Sequence, residues 1–193
     1  MRKSFVFLIC AILFTSTAFA QTNKAFKKGY RGSVEVGTGV AGGTMQKGFL
    51  TIGKEANAED QWKPAEFMNI STVHGYQLGN GVFLGIGLGW SFEMLDGMQY
   101  GSAFADIKYN IVDASASPFV EGRTGYRINS NLGGRGTEGL FISAAGGVDF
   151  GPFSASLGFD YCPYLQTGKS STGSIYRYCY TMNQFFFSLA FNF

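Results

Sequence analysis

The segment Val82-Phe83-Leu84-Gly85-Ile86-Gly87-Leu88-Gly89-Trp90 decides the fold of this chain. Its even-numbered positions hold large apolar side chains, whereas three of its four odd-numbered positions are glycine. Successive side chains of a β-strand point to opposite faces, so the segment predicts a strand with one apolar face and one nearly empty face. A soluble β-sandwich usually has polar residues opposite its core face. The pattern therefore favours a strand whose apolar face meets lipid.

Seven further segments show the same alternation. They are residues 30–39, 68–77, 102–111, 120–127, 140–149, 153–161 and 185–193. Strands of about ten residues match the length that a tilted strand needs to cross a bilayer. An even number of strands closes a barrel with both chain ends on one side. The sequence thus predicts an all-β fold, an eight-stranded antiparallel transmembrane β-barrel with up-and-down meander topology.

The connections between these strands alternate in length, which supports the same topology. Short turns are predicted at 79–81, 113–117 and 151–152, and longer connections at 41–63, 93–99, 129–136 and 164–183. Outer-membrane barrels have short periplasmic turns and longer outer loops. The tyrosine-rich connection 164–183 fits either an exposed loop that recognises an extracellular ligand, or strands that continue past the membrane.

The N-terminus predicts export. Arg2 and Lys3 precede an apolar run from Phe5 to Phe14, and Ala18-Phe19-Ala20 offers a cleavage site. This arrangement is typical of a secretory signal peptide, residues 1–20, followed by an outer-membrane β-barrel domain at 21–193. Removal of Arg2 and Lys3 leaves 13 of the 15 basic residues against 13 acidic ones. A chain of such balanced charge has no electrostatic basis for binding nucleic acid.

Several motifs resemble those of a known protein family. They are Lys28-Gly29-Tyr30-Arg31-Gly32, His74-Gly75-Tyr76-Gln77-Leu78, Ser117-Pro118-Phe119-Val120-Glu121 and the phenylalanine that ends the last strand. With them the chain resembles the small bacterial outer-membrane β-barrel proteins, similar in build to the OmpA and OmpX barrels. The resemblance implies outer-membrane lipid as the surroundings and the barrel-assembly machinery as a partner during biogenesis. Phe193 resembles the terminal signal that this machinery recognises.

The positions predicted to face the barrel interior hold both signs of charge. The set comprises Arg31, Glu35, Asp106, Lys108, Glu121, Arg123, Arg127, Asp149 and Asp160. An interior enclosed by eight strands is just wide enough for side chains to fill. The charged set therefore predicts a plug that holds the barrel together, with Arg123 at its centre. The leading function is then a structural or surface-interaction role, and the alternative is a narrow pore or transporter.

A lipid-modifying outer-membrane enzyme is the second alternative, with His74 as its candidate. The neighbouring Ser71 has the opposite strand parity, so the sequence predicts no catalytic site. The glycine fingerprint at 37–42 precedes no helical pattern, and a single histidine makes no metal ligand set, so neither cofactor nor metal is expected.

Cys162 and Cys179 form a candidate disulfide, although their parity would require a β-bulge.

Overall fold

The computed structural model describes residues 26–45, 65–94, 99–130, 136–169 and 175–193. The signal peptide predicted at 1–20 lies outside these residues. The strands are β1 (Gly29–Met45), β2 (Ala65–Gln77), β3 (Val82–Glu93), β4 (Gln99–Asn110), β5 (Ala116–Ser130), β6 (Gly136–Phe150), β7 (Phe153–Lys169) and β8 (Ile175–Asn192). Within the described ranges, no helix is long and apolar enough to cross a membrane.

The eight strands form one closed barrel in which each strand pairs antiparallel with its neighbours in sequence. β1 closes the barrel on β8, where the N–H and C=O groups of Gly32 and Phe193 exchange two hydrogen bonds of 2.9 Å. The predicted fold and meander topology are thereby confirmed.

The strand registers determine the tilt of the barrel. A path of paired residues that leaves β1 at Tyr30 passes through all eight strands and returns to β1 at Val40, ten residues further along. A stagger of ten residues over eight strands corresponds to a strand tilt of about 40°. This value is within the usual range for closed barrels.

The two ends of the barrel differ, and we name them the turn end and the loop end. Short turns at 78–81, 111–115 and 151–152 lie at the turn end, and Gly79, Gly81 and Gly151 adopt positive φ there. The segment at 26–28 also lies here, where the Phe26 N–H donates to Asp113 Oδ1 at 3.1 Å. The other four connections, 46–64, 94–98, 131–135 and 170–174, join strands at the loop end.

The connection predicted at 164–183 is shorter in the structure than its predicted bounds. β7 continues to Lys169 and β8 begins at Ile175, and the two remain paired up to Lys169 opposite Ile175. Continued pairing satisfies backbone groups that a loop would leave to water, and the tyrosines of this segment suit strands. Of the two interpretations left open for this segment, the structure therefore has the continuing strands.

The outer surface of the barrel is an apolar belt, as the alternation predicts. Ile86 is 72% exposed and Leu88 is 64% exposed, although a soluble protein would bury such side chains. Other members of the belt are Val34, Val36, Val40, Ile70, Leu84, Ile107, Val120, Leu140, Ile142, Leu157, Phe185 and Leu189.

Inward glycines make room for inward phenylalanine rings on the same or adjacent strands. A Cβ atom at Gly87 would lie 2.4 Å from the ring of Phe104, and one at Gly125 would lie 2.6 Å from Phe104 Cβ. The same relation joins Gly147 to Phe119, where the distance is 2.5 Å. The face that looks empty in sequence is therefore filled by aromatic rings.

Candidate functional site

The centre of the barrel interior is a cluster of four charged side chains around Arg123. β5 supplies Arg123 and Glu121, β4 supplies Asp106 directly opposite Arg123, and β1 supplies Glu35 from across the barrel. We call these four residues the Arg123 cluster.

The guanidinium of Arg123 is the hub of this cluster. Its Nη1 and Nη2 atoms each donate to one carboxylate oxygen of Glu35 at 2.7 Å, and Nη2 also donates to Glu121 Oε1 at 2.9 Å. Nε lies 3.4 Å from Asp106 Oδ1. A planar guanidinium suits such bidentate pairing, whereas an ammonium group does not.

Neutral groups support the two residues that span the barrel. Ser71 donates to Glu35 Oε2 at 3.1 Å and Ser33 donates to Oε1 at 3.3 Å. The Phe104 ring lies 5.2 Å from the guanidinium carbon of Arg123, within cation–π distance. Both partners of the bidentate pair are thus held in place by their surroundings.

Towards the turn end lies a second charged group. Lys108 Nζ lies 2.7 Å from Asp149 Oδ1 and 3.9 Å from the centre of the Phe119 ring. Asn110 Nδ2 donates to Asp149 Oδ2 at 2.6 Å. Arg31 is half-buried nearby and is attracted by Asp149 and Asp113.

Towards the loop end lies a third group, the pair between Arg127 Nη2 and Asp160 Oδ2 at 3.0 Å. The guanidinium carbon of Arg127 is 4.5 Å from the centre of the Phe141 ring. The structure thus places all nine predicted residues inside the barrel, but their ion pairs fall into three groups along the axis. Arg123 is the hub of the middle group only.

Among the buried polar residues outside the predicted segments are two with long side chains, Glu93 and Gln184. Both continue the inward alternation of their strands, β3 and β8. The alternating segments 82–90 and 185–193 are shorter than the strands, which extend to Glu93 and begin at Ile175. Strand parity carried past those segments would have found both.

Two cavities lie on either side of the Arg123 cluster. The larger, of about 350 Å³, is at the turn end, and the smaller, of about 70 Å³, lies towards the loop end. Glu35 lines both cavities, whereas Arg123 lines only the smaller one. The Arg123 cluster is therefore the partition between them.

His74 lies on the outer surface. Thr72 Oγ1 donates its proton to the carbonyl oxygen of Ser33 at 3.0 Å. In its contact of 3.0 Å with His74 Nε2, Thr72 Oγ1 is therefore the acceptor, and the ring proton is assigned to Nε2. Nδ1 then accepts from the Tyr30 hydroxyl at 2.5 Å. Ser71 faces the interior, so the structure does not bring His74 and Ser71 together.

No group of three or more residues suited to hold a metal ion occurs in the described part of the chain.

The register of β7 and β8 does not support the candidate disulfide. Cys162 lies opposite Met182, and Cys179 lies opposite Leu165, three positions away. Three positions along a strand correspond to about 10 Å, more than the roughly 7 Å of Cα separation that a disulfide can bridge. The Cys162 thiol contacts the carbonyl oxygen of Leu140 at 3.5 Å. The side chain of Cys179 lies outside the described part of the structure.

Comparison with solved structures places this architecture among known barrels. The chain matches the outer membrane protein AlkL, solved in lipid bilayers, with a TM-score of 0.51 and 13% identity over 86% of this chain and 90% of that one. The fold is that of the small outer-membrane β-barrels. The chain also matches Neisserial surface protein A, with a TM-score of 0.46 and 12% identity over 83% of this chain and 97% of that one. No family model and no curated protein sequence matches.

Proposed function

We propose that this protein is an integral component of the bacterial outer membrane, with a structural or surface-interaction role and a closed interior. The observation that carries the proposal is an apolar belt outside the barrel combined with an ion-paired partition inside it. The apolar belt has the composition that lipid requires. Short turns and both barrel termini share one end, so the turn end faces the periplasm.

The closed interior follows from the packing around Arg123. Its guanidinium joins β5 to β1 across the barrel, and the inward rings of Phe104 and Phe141 fill space beside and beyond it. Buried ion pairs of this kind are costly to separate, because each partner would remain charged and unpaired. We therefore expect no continuous water path through the resting barrel.

Planar-bilayer recording of the purified, refolded protein tests this proposal. We expect no steady conductance, and a folded band on unheated gels that shifts on heating. A steady, ion-selective current from the unmodified protein would contradict the closed interior and favour a pore.

A narrow pore or transporter is the second candidate, and the two cavities are the observation that favours it. The Arg123 cluster lies between the larger cavity and the smaller one, and Glu35 lines both. A pore would require a rearrangement that releases Glu35 from Arg123. A steady current from the unmodified protein would favour the pore. A current that appears only in Arg123→Ala would instead show that the Arg123 cluster closes the barrel, as the structural role requires.

Phe193 is proposed to serve as the signal for the barrel-assembly machinery. Its backbone pairs with Gly32 at the seam where the barrel closes, and its ring lies beside that of His74 with centroids 6.0 Å apart. Phe193→Ala should lower the yield of assembled protein in cells, measured as the heat-modifiable fraction in membranes. Equal assembly of the variant and the parent would contradict this role.

The lipid-modifying alternative has less support in the geometry. Both ring nitrogens of His74 already have hydroxyl partners on the outer surface, and Ser71 donates to Glu35 inside the barrel. Mass spectra of lipid A from cells with and without the protein test this alternative directly.

A further inference from the structure

The cavity at the turn end has the size of a small-molecule site. Its volume of about 350 Å³ lies in the range of ligand pockets, and it reaches from Lys27 and Lys28 at the mouth to Glu35 and Glu121 at the floor. Arg31 lies near the mouth and Glu35 at the floor. Their separation along the barrel axis, four residues of the tilted strand β1, is about 10 Å.

Positive charge is in excess at the mouth of this cavity. Lys27 and Lys28 are exposed and line it, and Arg31 and Lys108 lie just inside. Asp149 pairs with Lys108 and, with Asp113, attracts Arg31, while Glu121 lies opposite Lys108 in the register of β4 and β5. A carboxylate of a bound molecule would be favoured here.

Negative charge is in excess at the floor. Three carboxylates, those of Glu35, Asp106 and Glu121, share the single guanidinium of Arg123. All three line the cavity, whereas Arg123 does not. A cationic group that reached the floor from the cavity would be favoured by this excess.

Buried polar atoms without hydrogen-bond partners also line the cavity. They are Gln77 Nε2 and Asn110 Oδ1. Gln77 is 1% exposed and Asn110 0%, so bulk solvent does not reach them freely. Buried polar groups are normally paired, and unpaired ones of both donor and acceptor type point to a polar occupant.

We propose that this cavity binds a small zwitterion whose ammonium and carboxylate groups are several bonds apart, such as an ω-amino acid, and that it enters from the turn end. Its ammonium group lies at the floor, where the carboxylates of Asp106 and Glu121 accept from it. Its carboxylate lies at the mouth near Lys27, Lys28 and Arg31. The amides of Gln77 and Asn110, at the turn-end limits of β2 and β4, bond to polar atoms of the molecule near the mouth. The proposal rests on the proposed function only for the side of the membrane from which the molecule enters.

Titration calorimetry of the refolded protein in uncharged maltoside micelles tests the proposal with three probes of similar length. They are 6-aminohexanoate, a zwitterion; adipate, a dianion; and cadaverine, a dication. We expect 6-aminohexanoate to bind at least about tenfold more tightly than either control, as the loss of one favourable charged contact would predict. Equal binding of the three probes, preference for either control, or no binding would overturn the proposal.

Two variants locate the binding mode. The double variant Lys27→Gln, Lys28→Gln changes only exposed side chains, and it should weaken 6-aminohexanoate but not cadaverine. Asp106→Asn should weaken cadaverine and 6-aminohexanoate but not adipate. Unchanged zwitterion affinity in the folded double variant would overturn the proposed orientation. Bilayer conductance is measured separately from binding. If the barrel conducts and also binds the zwitterion, the closed interior is contradicted but the binding proposal is not.

Discussion

Arg123 illustrates how one side chain can join distant parts of the barrel. It binds both oxygens of Glu35, which is 88 positions away in sequence, while also contacting the carboxylates of its neighbours Glu121 and Asp106. Removing a hub of this kind leaves several buried carboxylates without a counter-charge. The cost of its loss should therefore exceed that of any single exposed ion pair.

Arg123→Ala should lower the free energy of unfolding by about 3–5 kcal/mol, because it strands buried carboxylates. Arg123→Lys should recover only part of the loss, since an ammonium group cannot pair with both oxygens of Glu35 in one plane. Urea titration of the refolded protein, followed by gel mobility, measures both. Lys28→Ala removes an exposed cation and serves as the control. Equal stability of Arg123→Ala and Lys28→Ala would exclude a structural role for the cluster.

Glycine at inward positions is a packing requirement wherever a phenylalanine ring lies over the backbone. Gly87→Val should destabilise the barrel by roughly 1–3 kcal/mol, because its Cβ would overlap the Phe104 ring and approach the Thr72 carbonyl oxygen at 2.9 Å. Gly146→Val is the matched control, since Gly146 faces outward and its nearest neighbour would be 3.9 Å away. Thermal unfolding on gels compares the two. A more severe effect at Gly146 would show that the inner and outer faces are misassigned.

At the scale of the strand, alternation separates an outer face, which carries apolar side chains, from an inner face, which carries glycine, aromatic and polar residues. β3 spans Val82–Glu93, and its outward residues are apolar throughout, whereas its inward residues are Phe83, three glycines, Ser91 and Glu93. A strand that crosses a membrane in this way should tolerate charge on its outer face according to depth.

Leu88→Arg should impair folding into bilayers strongly, because Leu88 is 64% exposed near the middle of β3 and Arg costs about 2–4 kcal/mol at the membrane midplane. Leu78→Arg is the control. Leu78 is 44% exposed but lies in the turn after β2, where the cost falls to about 0–1 kcal/mol. The folded fraction in lipid vesicles is the measurement. Comparable folding of both variants would argue against a lipid-facing belt and in favour of a soluble barrel.

At the scale of the whole molecule, the closed sheet gives the protein two unlike ends. The turn end carries short, glycine-containing turns and the larger cavity, whereas β7 and β8 extend together at the loop end. Insertion of such a barrel from the periplasm leaves its short turns on the periplasmic side.

Cysteine labelling of intact cells tests this orientation. In a background without the native cysteines, a membrane-impermeant maleimide should label a cysteine at Ala56, between β1 and β2, but not one at Asn80 in the turn before β3. Both should react in lysed cells, which controls for accessibility. Labelling of position 80 but not of position 56 in intact cells would reverse the assigned orientation.

The amino-acid sequence by itself determined the strands, the closed meander and the two faces of the barrel. These features follow from local alternation, which each strand carries in its own residues. Even Glu93 and Gln184 obey the parity of their strands, although they lie beyond the segments 82–90 and 185–193 in which the alternation is clearest.

Only the tertiary structure decided which inward residues meet. Glu35, not a residue of the neighbouring strand, is the bidentate partner of Arg123, because the ten-residue stagger and the tilt bring β1 level with β5 at that height. The same registers keep Cys162 and Cys179 three positions apart and divide the charges into three groups. Parity gives a residue its face, but its neighbours across a barrel depend on the stagger summed over all eight strands, which no single segment encodes.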